Sequence, residues 1–359
     1  MGSWRPPACD SSDFAAPWNE REVPPVPVFV NTPAATPRAP APSWMVWAAL
    51  WVIYIVWGST YLAIRVTVET LPPFLSAGSR FLLAGLIVFA FLAVRGGLQA
   101  IRLTRREVAA SALVGAALLF GGNGLVSLAE QTVSSSLAAL IIASVPLWVV
   151  LLRTITGEKV SRGTLVGVGI GFAGVAMLVL PGNESNGAGL AGLLTLVVAA
   201  ASWASGSFFS SRLPLPRNPF VSTAAQMVLG GLVLLVAGTV TGEASGLDVS
   251  EFSGASIGAF AYLVTVGSLF AFTAYVWLLQ NAPISKVATY AYVNPVIAIF
   301  LGWLILSESI TTTILVGAAV IVSSVAFIVR KESAPSPQPV ADDADAPAEA
   351  ALAGASSRS

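Results

Sequence analysis

Long apolar runs separated by short polar turns fill the chain from about residue 44 to residue 330. A helix that crosses a bilayer needs about 20 mostly apolar residues. Runs of that kind predict ten spans, at 44–64, 74–94, 108–128, 134–154, 163–180, 189–210, 219–239, 255–278, 287–306 and 312–329. The fifth and tenth are short, and only the polar turn around Gln131 to Ser134 separates the third from the fourth. Residues 1–43 and 331–359 are rich in Pro, Ala, Asp and Ser, and neither tail has an apolar run. Both read as disordered cytoplasmic tails, because they bury too little apolar surface to offset chain entropy. The first lacks the apolar core of a signal peptide, although its Trp4 and Trp18 could touch a membrane surface.

The pattern repeats. The phrase VWGSTYLAIR, Val56 to Arg65, returns as SWASGSFFSSR, Ser202 to Arg212. An offset of 146 sets Trp57 on Trp203, Ser59 on Ser205, Pro73 on Pro219 and Gly85 on Gly231. An offset of 149 sets Gln131 on Gln280, Ser136 on Ser285 and Pro146 on Pro295, and one of 150 sets Glu158 on Glu308 and Gly167 on Gly317. Each repeat holds five spans. Five is odd, so the second copy enters the membrane from the opposite side, the inverted repeat typical of secondary transporters. The fold class expected is an all-α membrane protein of ten transmembrane helices, built as two inverted five-helix repeats over 44–180 and 189–330.

Charge placement orients the spans. With the N-terminus inside, 16 of the 18 Lys and Arg fall in cytoplasmic segments, as the positive-inside rule demands. The two others are Arg65, at the outer end of span one, and Arg80, inside span two. Both termini are therefore expected in the cytoplasm, with the protein in the plasma (inner) membrane.

Composition narrows the chemistry. The chain is 55% hydrophobic and 10% charged, against about a quarter charged in a soluble domain. It has no histidine, and its one cysteine, Cys9, lies in the first tail. No metal site, no cofactor and no enzyme chemistry is expected from such a set. No phosphate-binding GxxxxGK[ST] loop appears, which argues against a pump driven by ATP, and nothing addresses nucleic acid. The expected partners are a small-molecule substrate and the lipid bilayer.

Polar side chains gather near the midplane from both halves. The substrate-binding candidates are Trp57, Ser59, Thr60, Arg80, Asn123, Trp203, Ser205, Gln226, Tyr290 and Asn294, with Tyr275 and Tyr292 close by. Arg80 is costly at such depth. It reads either as an anchor for a carboxylate or phosphate or as a structural arginine bonded to backbone carbonyls or Glu130. Glu130, near the outer end of span three, is the candidate for proton coupling, and reads otherwise as an interfacial acid in water. Pro146 and Pro295 stand mid-span and read as hinges or static bends. Gly167, Gly171 and Gly174 form a small-residue stripe that suits a homodimer face or packing within one chain.

VWGSTYLAIR followed by PPFLSAGSRFLLAG, then GNGLVSLAEQTVSSSLAALIIASVP and ATYAYVNPVIAIFLGWLILSESIT, resemble the EamA family of the drug/metabolite transporter superfamily, in its YedA-like branch. The resemblance covers residues 44–330. It implies ten helices in two inverted halves and the export or exchange of small metabolites related to amino acids. The expected function is a secondary active transporter that exports a small metabolite by alternating access. The alternatives are a carrier of a lipid or lipid-linked precursor, and an uptake or exchange carrier.

Overall fold

The computed structural model describes residues 42–180 and 189–332. The two expected tails, apart from the residues that adjoin the first and last helices, and the turn around Asn183 lie outside the described residues. Every regular element among the described residues is helical. Nine helices among them are long and apolar enough to span a membrane: α1 Ser43–Thr67, α2 Pro73–Gly96, α3 Arg105–Ala129, α4 Ser135–Ile155, α5 Arg162–Val179, α6 Leu190–Ser210, α7 Pro219–Val240, α8 Gly254–Leu279 and α10 Thr312–Lys331. The tenth, α9 Tyr290–Leu306, has 17 residues. Among the described residues the ninth span is thus the shortest; the fifth, at 18 residues, is short as expected, and the tenth, at 20, is not. The reason is local: after a one-turn helix, Ile284–Val287, the chain turns at Ala288 and Thr289, so α9 begins three residues late.

The helix starts follow from sequence. Pro73 and Pro219 open α2 and α7, where a missing N–H and a fixed φ suit the first turn. Asn218, Ser134, Ser161 and Ser253 accept hydrogen bonds from the first free N–H groups of α7, α4, α5 and α8, as N-caps do. Thr104 and Glu107 close a reciprocal capping box on α3.

Two irregularities are shared by the halves. α3 widens into a π-helix over Ala116–Gly124, and α8 does so over Leu263–Phe270. The offset of 146 that joins Trp57 to Trp203 also brings these segments into register. Proline is used differently in the two halves. α4 is interrupted at Ala143–Ser144, and Pro146 stands in the first turn of the piece that follows. Pro295 lies inside a continuous α9.

Packing obeys the same symmetry. α1 lies against α8 and α9, and α6, its mate, against α3 and α4. The first helix of each half is therefore embedded in the other half. α2 packs along its own mate α7, and α5 along its mate α10. Both self-pairings depend on glycine. A Cβ at Gly85 would lie 3.0 Å from the Ala224 carbonyl, and one at Gly231 would lie 3.0 Å from the Gly78 carbonyl. These two contacts exchange under the repeat. Gly167 faces Ile328 and Gly317 faces Leu178, again an exchanged pair. Gly171 faces Leu147 and Ser324, and Gly174 faces Val320 and Ile321, so the α5 stripe is filled within the chain.

The α2–α7 crossing should be intolerant of volume. A Cβ at Gly231 would also meet the Leu82 backbone nitrogen at 2.7 Å, and backbone cannot swing aside as a side chain can. Gly231→Val should destabilise the protein by at least about 1–3 kcal/mol and lower the yield of monodisperse protein. Gly169→Ala, where a Cβ meets nothing within 4 Å, should behave as native. Melting temperature and size-exclusion profile in detergent check both.

Candidate functional site

α1 carries the repeated phrase into the centre of the molecule. Gly58 lets it approach α9 closely: a Cβ there would lie 2.8 Å from Ile297 Cβ and 3.2 Å from the Asn294 carbonyl. With the backbones this near, the Trp57 ring reaches Tyr275 of α8 at 5.0 Å and Tyr290 of α9 at 5.1 Å between centroids. Tyr275 and Tyr290 are themselves 6.0 Å apart, edge to face, and Phe272 adjoins Tyr275 at 6.2 Å. Such offset and edge contacts suit aromatic quadrupoles. One turn beyond Tyr290, Asn294 is buried and its Oδ1 has no hydrogen-bond partner among the described residues. An unpaired buried amide oxygen is costly, and beside this cluster it offers an acceptor for a donor group.

On the same helix, the Ser59 hydroxyl donates to the Val56 carbonyl at 2.8 Å and lies 2.7 Å from the Tyr262 hydroxyl. Thr60 donates to the Trp57 carbonyl at 2.6 Å. Its methyl faces Gly267 in the π-segment of α8, and an Arg80 terminal nitrogen flanks the same glycine. Arg80 is buried at 6% exposure. Its Nε donates to Ser268 Oγ at 2.9 Å, and the guanidinium lies 4.6 Å from the Phe81 ring centroid. Among the described residues it bonds neither to a backbone carbonyl nor to Glu130. Arg65 instead donates to the Glu130 carbonyl.

Glu130 sits in the turn after α3, fully buried, and neither carboxyl oxygen has a hydrogen-bond partner among the described residues. Tyr61, Arg65 and Glu308 lie within its electrostatic reach.

The second-half candidates are placed differently. Ser205 donates to the Ala201 carbonyl at 2.8 Å, and Gln226 Nε2 to Ser222 Oγ at 3.0 Å, each within its own helix. The Trp203 ring covers Gly122, where a Cβ would lie 2.5 Å from it. Asn123 lies in the π-segment of α3, partly exposed. Among the described residues, no hydrogen bond or ring contact ties Trp203, Ser205, Gln226 or Asn123 to the Trp57 group. The structure therefore joins Trp57, Tyr275, Tyr290 and Asn294, and separately Thr60 and Arg80. Tyr262, Gly267, Ser268 and Phe272, which sequence reading did not select, complete these groups.

One end of the bundle is fastened across the halves. Glu308, beyond α9, accepts from the Ser135 N–H and hydroxyl, both at 2.8 Å, and from the Ser136 N–H at 3.0 Å and its hydroxyl. It caps α4, where the helix dipole favours an anion. Glu243 accepts from the Phe74 and Leu75 N–H groups at 3.1 and 2.9 Å and caps α2. Glu158, the repeat mate of Glu308, is held differently, by Arg153 at 2.7 Å and by Arg212. The hydrogen bond from Arg153 keeps its carboxyl below the usual carboxylate range.

The sequence profile of the EamA-like transporter family matches this chain twice, over residues 43–180 and 190–330. The chain belongs to the EamA-like transporter family. Each match takes in five helices, α1–α5 and α6–α10, so the family unit is the repeat described above. The chain is 37% identical over 281 residues to the Uncharacterized inner membrane transporter YedA of Escherichia coli (strain K12), covering 78% of this chain and 89% of that protein. It is 24% identical over 273 residues to the Uncharacterized transporter YoaV of Bacillus subtilis (strain 168), covering 75% of this chain and 91% of that one. A solved crystal structure shares the fold at a TM-score of 0.56 and 20% identity, over 81% of this chain and 97% of its own. The protein is a multi-pass membrane transporter.

Glu308 and Glu158 should differ in stability despite their equivalence. Glu308→Ala removes an anionic cap from the buried Ser135 and Ser136 and should cost about 2 kcal/mol. Glu158→Ala breaks an exposed ion pair and should change the melting temperature little. Thermal unfolding of the two variants under one detergent condition makes the comparison.

Proposed function

We propose that this EamA-like transporter is a secondary active carrier of the inner membrane, with both termini in the cytoplasm, which exports a small, amino-acid-like metabolite by alternating access. The observation that carries the reading is the unequal state of two equivalent carboxylates. Glu308 caps a helix of the opposite half, whereas Glu158 is held by arginines. Two halves related by an inverted repeat can exchange such states, and the exchange opens a central site first to one side and then to the other. By the charge pattern the Glu308 end faces outward, so the conformation described is fastened on the outer side.

The central contact set is Trp57, Tyr275, Tyr290 and Asn294. Three rings suit a flat or apolar body, and the Asn294 Oδ1 accepts from an amine, amide or hydroxyl. This set favours an amphipathic metabolite over a lipid, whose tails need no hydrogen bond. Glu130 is the coupling group. A carboxyl sealed from water without a partner keeps a proton more readily than a charge. The Ala143–Ser144 break before Pro146 and the Ala288–Thr289 turn before Pro295 supply the flexible points in α4 and ahead of α9.

An untargeted metabolite profile of the medium tests the reading. Cells that express the native protein should accumulate one polar or amphipathic compound outside. Trp57→Ala, matched for membrane level, should reduce that accumulation by about tenfold, the order expected when an aromatic contact worth about 1.5 kcal/mol is lost. Depletion of a compound from the medium would mean uptake and would overturn export. For coupling, Glu130→Gln mimics the protonated carboxyl. Its transport should lose the pH dependence of the native protein, and an unchanged pH profile in proteoliposomes would rule Glu130 out as the proton carrier.

A further inference from the structure

The turn that joins α2 to α3 concentrates more positive charge than the fold uses. Arg95, Arg102, Arg105 and Arg106 stand within twelve residues, and all four are exposed. Arg153 and Arg212 each meet the carboxylate of Glu158. Among the described residues none of the four meets a carboxylate. The one acid beside them, Glu107, is engaged by the Thr104 N–H and hydroxyl, both at 2.8 Å. Nor does helix formation call for these cations. Arg105 and Arg106 are the first two residues of α3, which Thr104 already caps, and the helix dipole disfavours positive charge there. The equivalent turn between α7 and α8, residues 241–253, carries Glu243, Asp248 and Glu251 and no Lys or Arg. It forms a 3-10 turn, Val249–Glu251, as the first forms Leu98–Ile101. Loop cations also orient the chain in the membrane, but twelve of the sixteen assigned to the cytoplasmic side lie outside this turn.

Apolar side chains flank the arginines. Phe91, Val94 and Leu98 are 57, 87 and 75% exposed. Gly97, at φ 71°, turns the chain at the end of α2, and Leu98 opens the 3-10 turn that follows. The Arg95 guanidinium lies 5.1 Å from the Phe91 ring centroid, which keeps that cation at the edge of the apolar surface. Exposed apolar side chains beside unpaired cations at the end of a membrane helix match the border between acyl chains and headgroups. Anionic lipids attract Lys and Arg at that border, and planar guanidinium groups bind phosphate in a bidentate manner.

We propose that the α2–α3 turn is a binding surface for an anionic phospholipid of the phosphatidylglycerol type. Arg102, Arg105 and Arg106 receive the headgroup phosphate, and Val94 and Leu98 lie against the acyl chains. The lipid is a structural partner of the transporter. Its binding depends neither on the cargo nor on the direction of transport.

Native mass spectrometry of the purified full-length protein, titrated in detergent with short-chain phosphatidylglycerol or with phosphatidylcholine of the same chain length, reads the apparent affinity for each. Phosphatidylglycerol should bind more tightly. The triple variant Arg102→Gln, Arg105→Gln, Arg106→Gln should weaken its binding by on the order of a hundredfold, as three surface cations imply, and leave phosphatidylcholine binding unchanged. Inorganic phosphate at the same concentration should not compete. Hydrogen exchange of the native protein in nanodiscs gives a readout that needs no variant. Residues 95–106 should exchange more slowly in phosphatidylglycerol than in phosphatidylcholine, and residues 241–253 should not change. Equal affinity for the two lipids, a preference that survives the triple substitution, competition by inorganic phosphate, or protection elsewhere and none at 95–106 overturns the proposal. So does protection of 95–106 that is equal in both lipids and is lost on removal of residues 338–359. That result would assign the turn to the tail that carries Asp342, Asp343 and Asp345. Failure of export in the medium profile leaves the lipid preference unaffected, so the two readings fail separately.

Discussion

The structure rests on backbone-to-backbone contact between α2 and α7 at the junction of the two repeats. Inside a bilayer, helix association gains nothing from expelling water, so close packing and polar contacts must supply it. Gly85 against Ala224 and Gly231 against Gly78 bring the two backbones together at matched places. Gly115 of α3 and Gly230 of α7 extend the contact, since a Cβ on either would lie 2.6 Å from a backbone oxygen of the other helix. These contacts leave no room for side chains, so the halves meet in one register. The same logic recurs where α5 meets α10 through Gly167, Gly174 and Gly317.

That symmetric frame presents an asymmetric interior. Trp57 meets two tyrosines of the second half in tilted and edge-on contacts, whereas Trp203 covers a glycine of the first. Arg80 spans to Ser268 in a π-segment, whereas Gln226 bonds within its own helix. Inverted halves make alternating access geometrically available, and the side chains at these equivalent positions are unequal. The π-segments serve this interior. A π-turn displaces the side chains that follow it and is often found at functional sites. In α8 it turns Gly267 toward Thr60 and Arg80 and sets Ser268 on the guanidinium.

Sequence alone determined the span count, the inverted duplication and the expected orientation, because each depends on one-dimensional features. Apolar length sets a membrane span, five spans per repeat invert the copy, and loop charge sets the side. Trp57, Tyr290 and Asn294 were legible as site candidates because polar and aromatic residues are conspicuous within apolar helices. Their grouping with Tyr275 and Phe272 depended on how close α1 comes to α9, and so on Gly58, which presents no side chain to draw attention. The π-segments left no periodic trace, since one added residue per turn over eight or nine positions lies within the scatter of an apolar run. The late start of α9 arose from a turn at Ala288–Thr289 that contains neither glycine nor proline. The partners of Arg80, Glu130, Glu158 and Glu308 belonged to tertiary structure entirely. Each depends on a residue at least 50 positions away or on the lack of one, apart from the local Arg153 contact, and only the packed helices decided which charges met.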